Sequence, residues 1–372
     1  MRIVVVGVLA ESILTFRGEL LRSMAQHGHD VLAVAPDDDD FVRATLAGMG
    51  VGYTTVPLHR AGMNPWHDIR TVVALARTFR AFRADAVLTY AAKPVVYGSI
   101  AARLAGVRRR AALITGVGSA LAGGAGLRRR TLAQILRVLY LVGLRQVQLV
   151  FFQNPDDERL FRDLGLVGDR HRVVRVNGSG VDLVKFSPSP LPPPPIRFLM
   201  LSRLIRDKGV VEYVEAARRV RQAFPMVRIQ LLGAMDPNPS AISPAQLEAW
   251  RSAGDIEYLG STSDVRPFLA EAHVCVLPSY GEGMPRSVLE AMAMGRAILT
   301  TDVAGCRETV QEGQNGYLVQ ARSSASLADG MLRMLDDQDR LESMGRASRA
   351  LAEQRFDVHT VNRTIIDAMG LA

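Results

Sequence analysis

Short apolar runs alternate with longer segments of helical periodicity along this 372-residue chain. Each run is apolar at nearly every position rather than at every second one, which indicates strands buried on both faces of a parallel sheet. Such strands alternating with helices predict a doubly wound α/β architecture. The predicted strands are residues 3–8, 31–35, 86–88, 112–115 and 149–152, and then 198–201, 229–232, 256–259, 274–277 and 298–301.

A proline-rich stretch divides this pattern into two halves. Residues 187–196 are Ser-Pro-Ser-Pro-Leu-Pro-Pro-Pro-Pro-Ile, a composition that forms stiff, extended spacers. A chain of this length is also too long for one ordinary hydrophobic core. We therefore expect a first Rossmann-like domain at residues 1–185, a linker at 186–196, a second Rossmann-like domain at 197–355 and a final helical segment at 356–372.

The composition bounds where such a protein works. Its only two cysteines, Cys275 and Cys306, do not suggest a disulfide framework or a metal cluster, so a reducing compartment is expected. The N-terminus has the pattern of a first strand rather than of a signal peptide. No run of 18 uncharged apolar residues occurs, so no transmembrane helix is expected. These features predict a cytoplasmic protein.

The net charge of +8 resides in the first half, where residues 1–185 hold 25 arginines and lysines against 15 acidic residues. Basic clusters at 108–110 and 128–130 lie beside apolar stretches, which suits an anionic membrane face or a diphosphate on an acceptor, with a solvated basic surface as the alternative. No nucleic-acid-binding motif accompanies the charge, so no nucleic-acid partner is expected. The acidic run at 37–40 is interpreted as a solvated loop after a strand rather than as a metal site.

Residues 278–309 have the pattern of a ligand-binding element. Their sequence is P-S-Y-G-E-G-M-P-R-S-V-L-E-A-M-A-M-G-R-A-I-L-T-T-D-V-A-G-C-R-E-T. An apolar strand ends in a turn rich in Pro and Gly, and Pro285 suits the first position of the helix that follows. The backbone amides of Gly283 and Met284 would then face a ligand at a helix N-terminus, where the dipole favours anions.

Four charged residues add to this element. Glu282 in the turn and Glu290, two helical turns later on the same side, bracket the helix N-terminus and suit a ligand with both phosphates and hydroxyls, such as a nucleotide sugar. Arg203 and Lys208 follow the first strand of the second half, beyond the carboxyl end where open α/β sheets bind ligands. These fixed cations would stabilise the charge that builds on a leaving diphosphate, so no metal is expected. The alternative for Arg203 and Lys208 is a surface ion pair.

The frame P-S-x-x-E-G-x-P-x-x-x-L-E-A-x-A-x-G-x-x-I, with the Thr-Asp and Gly-Cys-Arg-Glu that follow it, resembles the signature of family 4 glycosyltransferases, which have the GT-B fold. The resemblance covers nearly all of the chain and is densest over 200–320. It implies two Rossmann-like domains facing across a cleft, with the segment 356–372 crossing back to the first domain. It also implies that the first domain binds the acceptor and the second the nucleotide sugar.

The resemblance assigns roles to the residues of the second half. Glu282 would contact the hydroxyls of the donor sugar, beside the amides of the next residues, and Glu290 would hold the ribose. Arg203 and Lys208 would hold the diphosphate. The implied donor-binding set is Arg203, Lys208, Glu282, Gly283, Met284, Pro285 and Glu290, with Arg203, Lys208 and Glu282 serving catalysis.

Two segments of the first half, T-Y-A-A-K-P-V-V-Y-G at 89–98 and T-G-V-G-S-A at 115–120, resemble a bacterial subgroup of the family. That subgroup extends undecaprenyl-diphosphate-linked saccharides and includes N-acetylgalactosaminyltransferases. Many family members carry an active-site His here, and this chain has none in either segment, so Lys93 is the candidate to fill part of that catalytic role; a plain helix start is its alternative. The residues expected at an acceptor or phosphate loop are Gly116, Gly118, Ser119 and Arg17.

The predicted function is that of a retaining, metal-independent glycosyltransferase. It would move a hexose or N-acetylhexosamine from a UDP-sugar to an undecaprenyl-diphosphate-linked saccharide in surface polysaccharide synthesis. It would work on the inner face of the cytoplasmic membrane as a peripheral protein. Two alternatives stay open: a sugar-nucleotide epimerase of the same fold, and a non-catalytic protein that binds a sugar nucleotide.

Overall fold

The computed structural model describes residues 1–58, 64–116, 127–238 and 240–372. The chain divides into two compact units. The first unit comprises Met1–Ser179 together with Val358–Ala372, and the second comprises Gly180–Asp357. Each unit has its own parallel sheet and its own hydrophobic core.

In the described part of the first unit, seven parallel strands form the sheet in the order β3-β2-β1-β4-β5-β6-β7. The order reverses between β1 and β4, which makes the carboxyl ends of these two strands the topological switch point. The strands are β1 (Arg2–Val6), β2 (Asp30–Ala35), β3 (Val51–Thr55), β4 (Ala86–Tyr90), β5 (Arg109–Ile114), β6 (Leu149–Phe152) and β7 (Arg172–Arg175).

Helices cover both faces of this sheet. Along β1, Ile3 and Val5 pack into one core cluster while Val4 and Val6 pack into another, because successive side chains of a strand point to opposite faces. The helices are α1 (Ala10–Gln26), α2 (Asp40–Gly48), α3 (Pro65–Phe82), a π-helical turn (Pro94–Gly98) that runs into α4 (Ser99–Leu104), α5 (Leu127–Leu144) and α6 (Pro155–Asp163).

The described strands of the second unit form a parallel sheet of six, in the order β10-β9-β8-β11-β12-β13. Its switch point lies between β8 and β11. The strands are β8 (Arg197–Leu201), β9 (Arg228–Leu232), β10 (Glu257–Tyr258), β11 (Val274–Leu277), β12 (Ala297–Thr301) and β13 (Gly316–Val319). The helices are α7 (Val210–Ala223), α8 (Pro244–Ser252), α9 (Arg266–Ala270), α10 (Arg286–Ala293), α11 (Ser324–Asp336) and α12 (Leu341–Arg355), with short 3-10 turns at Arg206–Lys208, Arg307–Thr309 and Gln338–Arg340.

The last helix, α13 (Val358–Met369), belongs to the first unit although it follows the second in the chain. Its buried face, which includes Val361, Ile365 and Ile366, joins the core cluster that α1 and α2 form on one side of the first sheet. Backbone and side-chain contacts hold its end, since the guanidinium of Arg109 donates to the carbonyl of Gly370 at 2.9 Å. The first unit is therefore completed by both ends of the chain.

The proline-rich segment is bonded to the second unit. The fully buried guanidinium of Arg296 donates to the backbone carbonyls of Ser189 at 2.6 Å and Pro190 at 3.2 Å. Arg349 donates to the carbonyls of Phe186 at 3.0 Å and Ala293 at 2.8 Å. Burial lowers the pKa of Arg296 to about 10, so the side chain remains a cation at neutral pH. Arg296 and Arg349 thus donate to backbone carbonyls of the segment 186–190, which begins the proline-rich stretch.

Among the residues that the structure describes, no helix has the length and apolar composition needed to span a bilayer.

Candidate functional site

Most of the charged residues singled out in the second half lie at the switch point of the second sheet. Arg203 and Lys208 belong to the loop that follows β8, and Glu282 belongs to the loop that follows β11. Open α/β sheets bind their ligands at this place because two neighbouring loops diverge there and leave a crevice. The topology therefore brings together residues that stand about 80 positions apart in the chain.

Close backbone packing holds these loops against each other. Gly209 has φ +77°, and a Cβ added there would lie 2.1 Å from the carbonyl oxygen of Pro278. Gly305, in the loop after β12, has φ +74°, and its Cβ would lie 2.5 Å from the carbonyl oxygen of Glu282. Only glycine fits both the left-handed conformation and the available space. The amide of Glu282 also donates to the carbonyl of Ala304 at 3.1 Å, so three strand-end loops form one fixed surface.

Lys208 and Glu282 form an ion pair across two of these loops. The side chains of Lys208 and Glu282 are only 20% and 13% exposed, so the pair is largely buried but still in contact with solvent. Nearby, Cys306 is buried, and burial together with the negative charge of Glu282 raises the pKa of its thiol to about 12. The thiol is therefore neutral and unreactive at physiological pH.

Arg203 pairs with Asp236 rather than with another predicted site residue. Its guanidinium lies 2.9 Å from a carboxylate oxygen of Asp236, and the arginine side chain is 54% exposed. Asp236 follows β9, the next strand of the sheet. The sequence does not mark Asp236 as a partner of Arg203, because only the strand order shows that β9 lies beside β8. The exposed guanidinium has donors to spare for an incoming anion.

Glu290 lies buried in α10, where Arg286, four residues earlier, donates to it at 2.7 Å. Burial raises the pKa of the Glu290 carboxyl, and the positive charge of Arg286 opposes that shift. Pro285 precedes the helix as its N-cap residue instead of occupying the first helical position, so the expected start is one residue too early. The helix N-terminus still follows the loop that carries Glu282, as predicted from the motif.

Tyr280 fixes the start of this loop. Its amide donates to the carbonyl of Asp207 at 2.9 Å, and its hydroxyl donates to Glu212 in α7 at 2.5 Å. The guanidinium of Arg322 lies 4.7 Å from the centre of the Tyr280 ring. Burial and the neighbouring carboxylate raise the pKa of the Tyr280 hydroxyl, so it stays a hydrogen-bond donor. Tyr280 is a positioning residue for Lys208 and Glu282, and no motif in the sequence marks it as one.

The acidic run at 37–40 follows β2, and three of its carboxylates have defined partners. Both carboxylate oxygens of Asp37 accept from the amide of Ala10, at 3.0 and 3.1 Å, and so cap the N-terminus of α1. Asp39 caps α2 by accepting from Val42 at 2.9 Å, and Asp38 pairs with Arg43. The run follows a strand and exposes Asp38 and Asp40, as expected, but Asp37 and Asp39 satisfy helix amides and are not merely solvated. Over the described ranges, no group of His, Cys, Asp and Glu is arranged to hold a metal ion.

Lys93 lies directly before the π-helical turn in the first unit. Its ammonium is 3.3 Å from one carboxylate oxygen of Asp68, and the hydroxyl of Tyr97 donates to the other oxygen at 2.7 Å. Asp68 lies in the first turn of α3. The sequence pattern singles out Lys93 but not Asp68, whose place beside the lysine results from the packing of α3 against the π-helical turn.

The remaining residues of the first unit are placed as follows. Arg17 is buried, lies 5.1 Å from the ring centre of Tyr90 and donates to the hydroxyl of Ser179 at 3.1 Å. Gly116 lies two residues after the end of β5 and has φ +115°, a conformation that favours glycine. Gly118 and Ser119 lie outside the described residues. The acceptor or phosphate loop therefore remains a prediction.

Comparison with known proteins identifies both halves. Residues 14–178 match the model "Glycosyl transferase 4-like domain", and residues 195–337 match "Glycosyl transferases group 1". The N,N'-diacetylbacillosaminyl-diphospho-undecaprenol alpha-1,3-N-acetylgalactosaminyltransferase of Campylobacter jejuni is 28% identical over 352 residues, which cover 91% of this chain and 90% of that protein. The amylovoran biosynthesis glycosyltransferase AmsK of Erwinia amylovora is 26% identical over 187 residues, covering 47% of this chain and 44% of AmsK.

Solved structures show the same fold. HepE of Anabaena, determined in complex with UDP and glucose, superimposes with a TM-score of 0.78 at 18% identity and covers 100% of this chain and 99% of HepE. Sucrose-phosphate synthase of Thermosynechococcus elongatus gives a TM-score of 0.79 at 17% identity, with 99% and 98% covered. The predicted two-domain fold with parallel sheets is confirmed, and the chain belongs to the GT-B glycosyltransferases, with a glycosyl transferase 4-like domain followed by a group 1 domain.

Proposed function

We propose that this glycosyltransferase transfers a hexose or N-acetylhexosamine from a UDP-sugar to an undecaprenyl-diphosphate-linked saccharide, with retention of the anomeric configuration. The observation that carries the proposal is the contact between Lys208 and Glu282 at the switch point, next to the N-terminus of α10. A cation, a carboxylate and a helix N-terminus at one place suit a ligand that has both phosphates and sugar hydroxyls. The Campylobacter relative, which acts on a lipid-diphosphate saccharide by its name, supports the acceptor class.

Each donor-side residue has a role in this proposal. Lys208 and Arg203 bind the diphosphate, and Glu282 accepts hydrogen bonds from the hydroxyls of the sugar. The amides of Gly283 and Met284, at the loop that Pro285 ends, bind beside it. Glu290 accepts from the ribose hydroxyls, and Arg286, which donates to its carboxylate, opposes the rise in pKa that burial causes. The ammonium of Lys208 has three N–H groups, so it can donate to a phosphate of the donor while it stays beside Glu282.

The chemical step follows from these contacts. The bond between the anomeric carbon and the diphosphate oxygen breaks, a bond from the acceptor oxygen forms on the same face, and the acceptor proton goes to the departing phosphate oxygen. Negative charge grows on the diphosphate as it leaves, and the preorganised cations Lys208 and Arg203 stabilise that charge. Because these side chains supply the positive charge, we propose that the reaction needs no metal ion.

The acceptor is assigned to the first unit. Its α1 N-terminus, which follows β1 at the switch point, already holds the carboxylate of Asp37 and is closed to a second nucleotide phosphate. Lys93 and Gly116 remain at the carboxyl ends of β4 and β5, where an acceptor group would be reached. The predicted loop of Gly118 and Ser119 would extend this site.

We further propose that the protein binds the inner face of the cytoplasmic membrane. Trp66, Ile69 and Val73 lie on one side of α3 and are exposed, Trp66 by 75%. Helix α5 likewise exposes apolar residues at helical spacing: Leu132, Ile135, Val138 and Val142. The net positive charge of the first half adds electrostatic attraction to an anionic surface. An apolar helix face with basic residues around it is typical of proteins that lie on a membrane.

A thermal-shift screen tests the donor. UDP, GDP, ADP and their sugars are added to the purified protein with EDTA and then with Mg²⁺. Since a ligand of the native state raises its stability, we expect UDP and UDP-sugars to raise Tm without metal. A shift with GDP- or ADP-sugars alone would overturn the donor, and a shift that requires Mg²⁺ would overturn metal independence. Product analysis then separates transfer from isomerisation of the UDP-sugar, which would identify an epimerase.

A further inference from the structure

The segment that follows β4 lies at the switch point of the first sheet, between the strand order β3-β2-β1 and the order β4-β5-β6-β7. This is the place where such a sheet binds a ligand. At the neighbouring loop after β1, the side chain of Tyr90 occupies the space beside Gly7. A Cβ added to Gly7 would lie only 2.4 Å from the hydroxyl of Tyr90. The segment after β4, residues 91–98, carries the polar side chains of Lys93 and Tyr97 at this switch point.

Residues 91–98 combine two unfavourable backbone features. Ala91 has φ +67°, a left-handed conformation that non-glycine residues rarely adopt. The following Pro94–Gly98 turn is π-helical, a form that occurs in short pieces and often at functional sites. The fold also makes room for the turn, since a Cβ on Gly143 of α5 would lie 2.7 Å from the Cα of Val96. Strain of this kind persists where the geometry serves a function.

The π-helical turn brings two side chains to one carboxylate. The ammonium of Lys93 lies 3.3 Å from Oδ1 of Asp68, and the hydroxyl of Tyr97 donates to Oδ2 at 2.7 Å. The Lys93 and Asp68 side chains are 18% and 15% exposed. Burying an ion pair to this extent adds little stability, because desolvation offsets the attraction. The cluster is half-buried, and a purely stabilising role does not explain it.

The charges decide which ligand suits this cluster. Lys93 and Asp68 neutralise each other, so an anion that approaches the ammonium also meets the carboxylate. A hydroxyl group is both donor and acceptor and matches the pair: the ammonium has N–H groups beyond the one directed at Asp68, and each carboxylate oxygen has a further lone pair. Two adjacent hydroxyls of a pyranose ring therefore suit the cluster better than a phosphate does.

We infer that Asp68, Lys93 and Tyr97 form a subsite that binds the hydroxyls of the acceptor's terminal sugar. Lys93 donates to one sugar oxygen, Asp68 accepts from the neighbouring hydroxyl, and Tyr97 orients Asp68. The inference rests on the proposed function for its ligand class, an acceptor saccharide. It assigns Lys93 to sugar binding beside a carboxylate that no sequence motif marks.

Direct sugar binding tests the subsite without any transfer reaction. Methyl α-D-glucoside and methyl N-acetyl-α-D-glucosaminide are added in turn to the full-length protein, and saturation-transfer NMR reports bound protons. We expect saturation transfer with the wild type and its loss in Asp68→Asn and Lys93→Met. Asp30→Asn is the matched control, because Asp30 pairs with Arg2 on the exposed surface of the same unit. Absence of saturation transfer in the wild type, or its survival in both variants, would overturn the inference.

Donor binding separates this inference from the proposed function. The Tm shift with UDP should be the same in Asp68→Asn, Lys93→Met and the wild type, because the donor residues belong to the second unit. With an acceptor that the wild type uses, the variants should raise the acceptor KM at least tenfold and leave the UDP-sugar KM unchanged. If either variant fails to fold, Tyr97→Phe serves instead, because it deletes only one hydroxyl and should raise the acceptor KM severalfold. A raised UDP-sugar KM in any of these variants would contradict the subsite.

Discussion

Lys208 and Glu282 are ion-paired although 74 positions separate them in the chain. The pair joins the loop after β8 to the loop after β11, the two loops that diverge at the switch point of the second sheet. The backbone of both loops is closely packed at Gly209 and Gly305, and the two paired side chains are only 20% and 13% exposed. The two charges therefore occupy fixed positions before any ligand binds, which is the condition for electrostatic stabilisation of a transition state.

Removing either partner should abolish transfer while the fold remains. We expect Lys208→Met and Glu282→Gln each to lower kcat/KM for the UDP-sugar by roughly 10²- to 10³-fold, the usual effect of losing one preorganised charge or donor. Steady-state kinetics with a radiolabelled UDP-sugar measure this effect. Arg346→Met is the matched control, since Arg346 pairs with Glu342 on the exposed side of α12. Near-native turnover in both site variants would refute the site.

Gly305 and Gly313 provide a matched pair for the loop packing. Both have positive φ, +74° and +72°, but only Gly305 lies against the carbonyl oxygens of Glu282 and Gly283. Gly313→Ala should cost about 1 kcal/mol of unfolding free energy through backbone strain alone. Gly305→Ala should cost about 1–3 kcal/mol more and raise the UDP-sugar KM, because the loop of Glu282 has to shift. Chemical denaturation and kinetics check both effects, and equal losses in the two variants would show that the contact is unimportant.

Asp157 should make the first unit less stable as the pH rises. Burial raises its pKa from about 3.8 to about 6, against a favourable hydrogen bond from Asn154. The folded state therefore binds a proton more tightly than the unfolded state does. This contribution to the free energy of unfolding is fully present below pH 4. It falls by about 1.4 kcal/mol per pH unit between pH 4 and pH 6 and is lost above pH 6.

The variant Asp157→Asn should remove that pH dependence, because the amide resembles the protonated carboxyl. Melting temperatures of wild type and variant, measured from pH 4 to pH 7.5, give the difference directly. Asp169→Asn, at an exposed position of the same unit, should leave the wild-type slope unchanged. A variant Asp157→Asn with the wild-type slope would mean that this carboxyl does not control the transition.

One UDP should bind per chain. The α1 N-terminus of the first unit is capped by Asp37, whereas the loop before α10 in the second unit carries Glu282 beside Lys208, the cation that we propose binds the diphosphate. Isothermal titration calorimetry should therefore give a stoichiometry near one, and Lys208→Met should weaken all of the binding observed. A second binding event that survives Lys208→Met would place a nucleotide site in the first unit.

The exposed face of α3 should mediate vesicle binding. We expect Trp66→Ser to lower partition onto phosphatidylcholine vesicles with 30% phosphatidylglycerol by roughly fivefold. A tryptophan ring that is half-buried in the membrane contributes about 1 kcal/mol to the binding free energy, and the serine loses this contribution. Phe41→Ser is the control, because Phe41 is 73% exposed on α2, which packs on the other face of the sheet. Sedimentation of protein with vesicles at low salt measures the partition. Equal effects of both substitutions would count against a specific docking face.

The interior strands were predictable from the sequence, and most of the edge strands were not. Predicted strands at 149–152 and 274–277 coincide with β6 and β11, which are buried on both faces and apolar throughout. Of the four edge strands that the structure describes, β3, β7 and β13 escape prediction, whereas β10 overlaps the predicted strand at 256–259. Strands β3 and β7 have exposed positions and no continuous apolar run, which is the pattern that predicts burial on two faces.

Long-range partners explain the remaining differences. Helix α1 begins at Ala10, whose amide is capped by Asp37 from another strand end and not by a local residue, so no local capping pattern marks its start. At the site, the motif residues Lys208 and Glu282 are predictable, while Asp236, Tyr280 and Asp68 are not. Each of these three residues contacts a partner that is distant in sequence, and only the folded arrangement brings the two together.

Helix α13 has a consequence for exchanging parts between related enzymes. Because Val361, Ile365 and Ile366 complete the core of the first unit, that unit is encoded by two separate stretches of the gene. A chimera made with a single crossover near residue 180 would join the first 179 residues to a foreign closing helix and leave a mismatched core. Recombination that preserves both cores needs two crossovers, one near residue 180 and one near residue 357, so that the second unit is exchanged as a cassette.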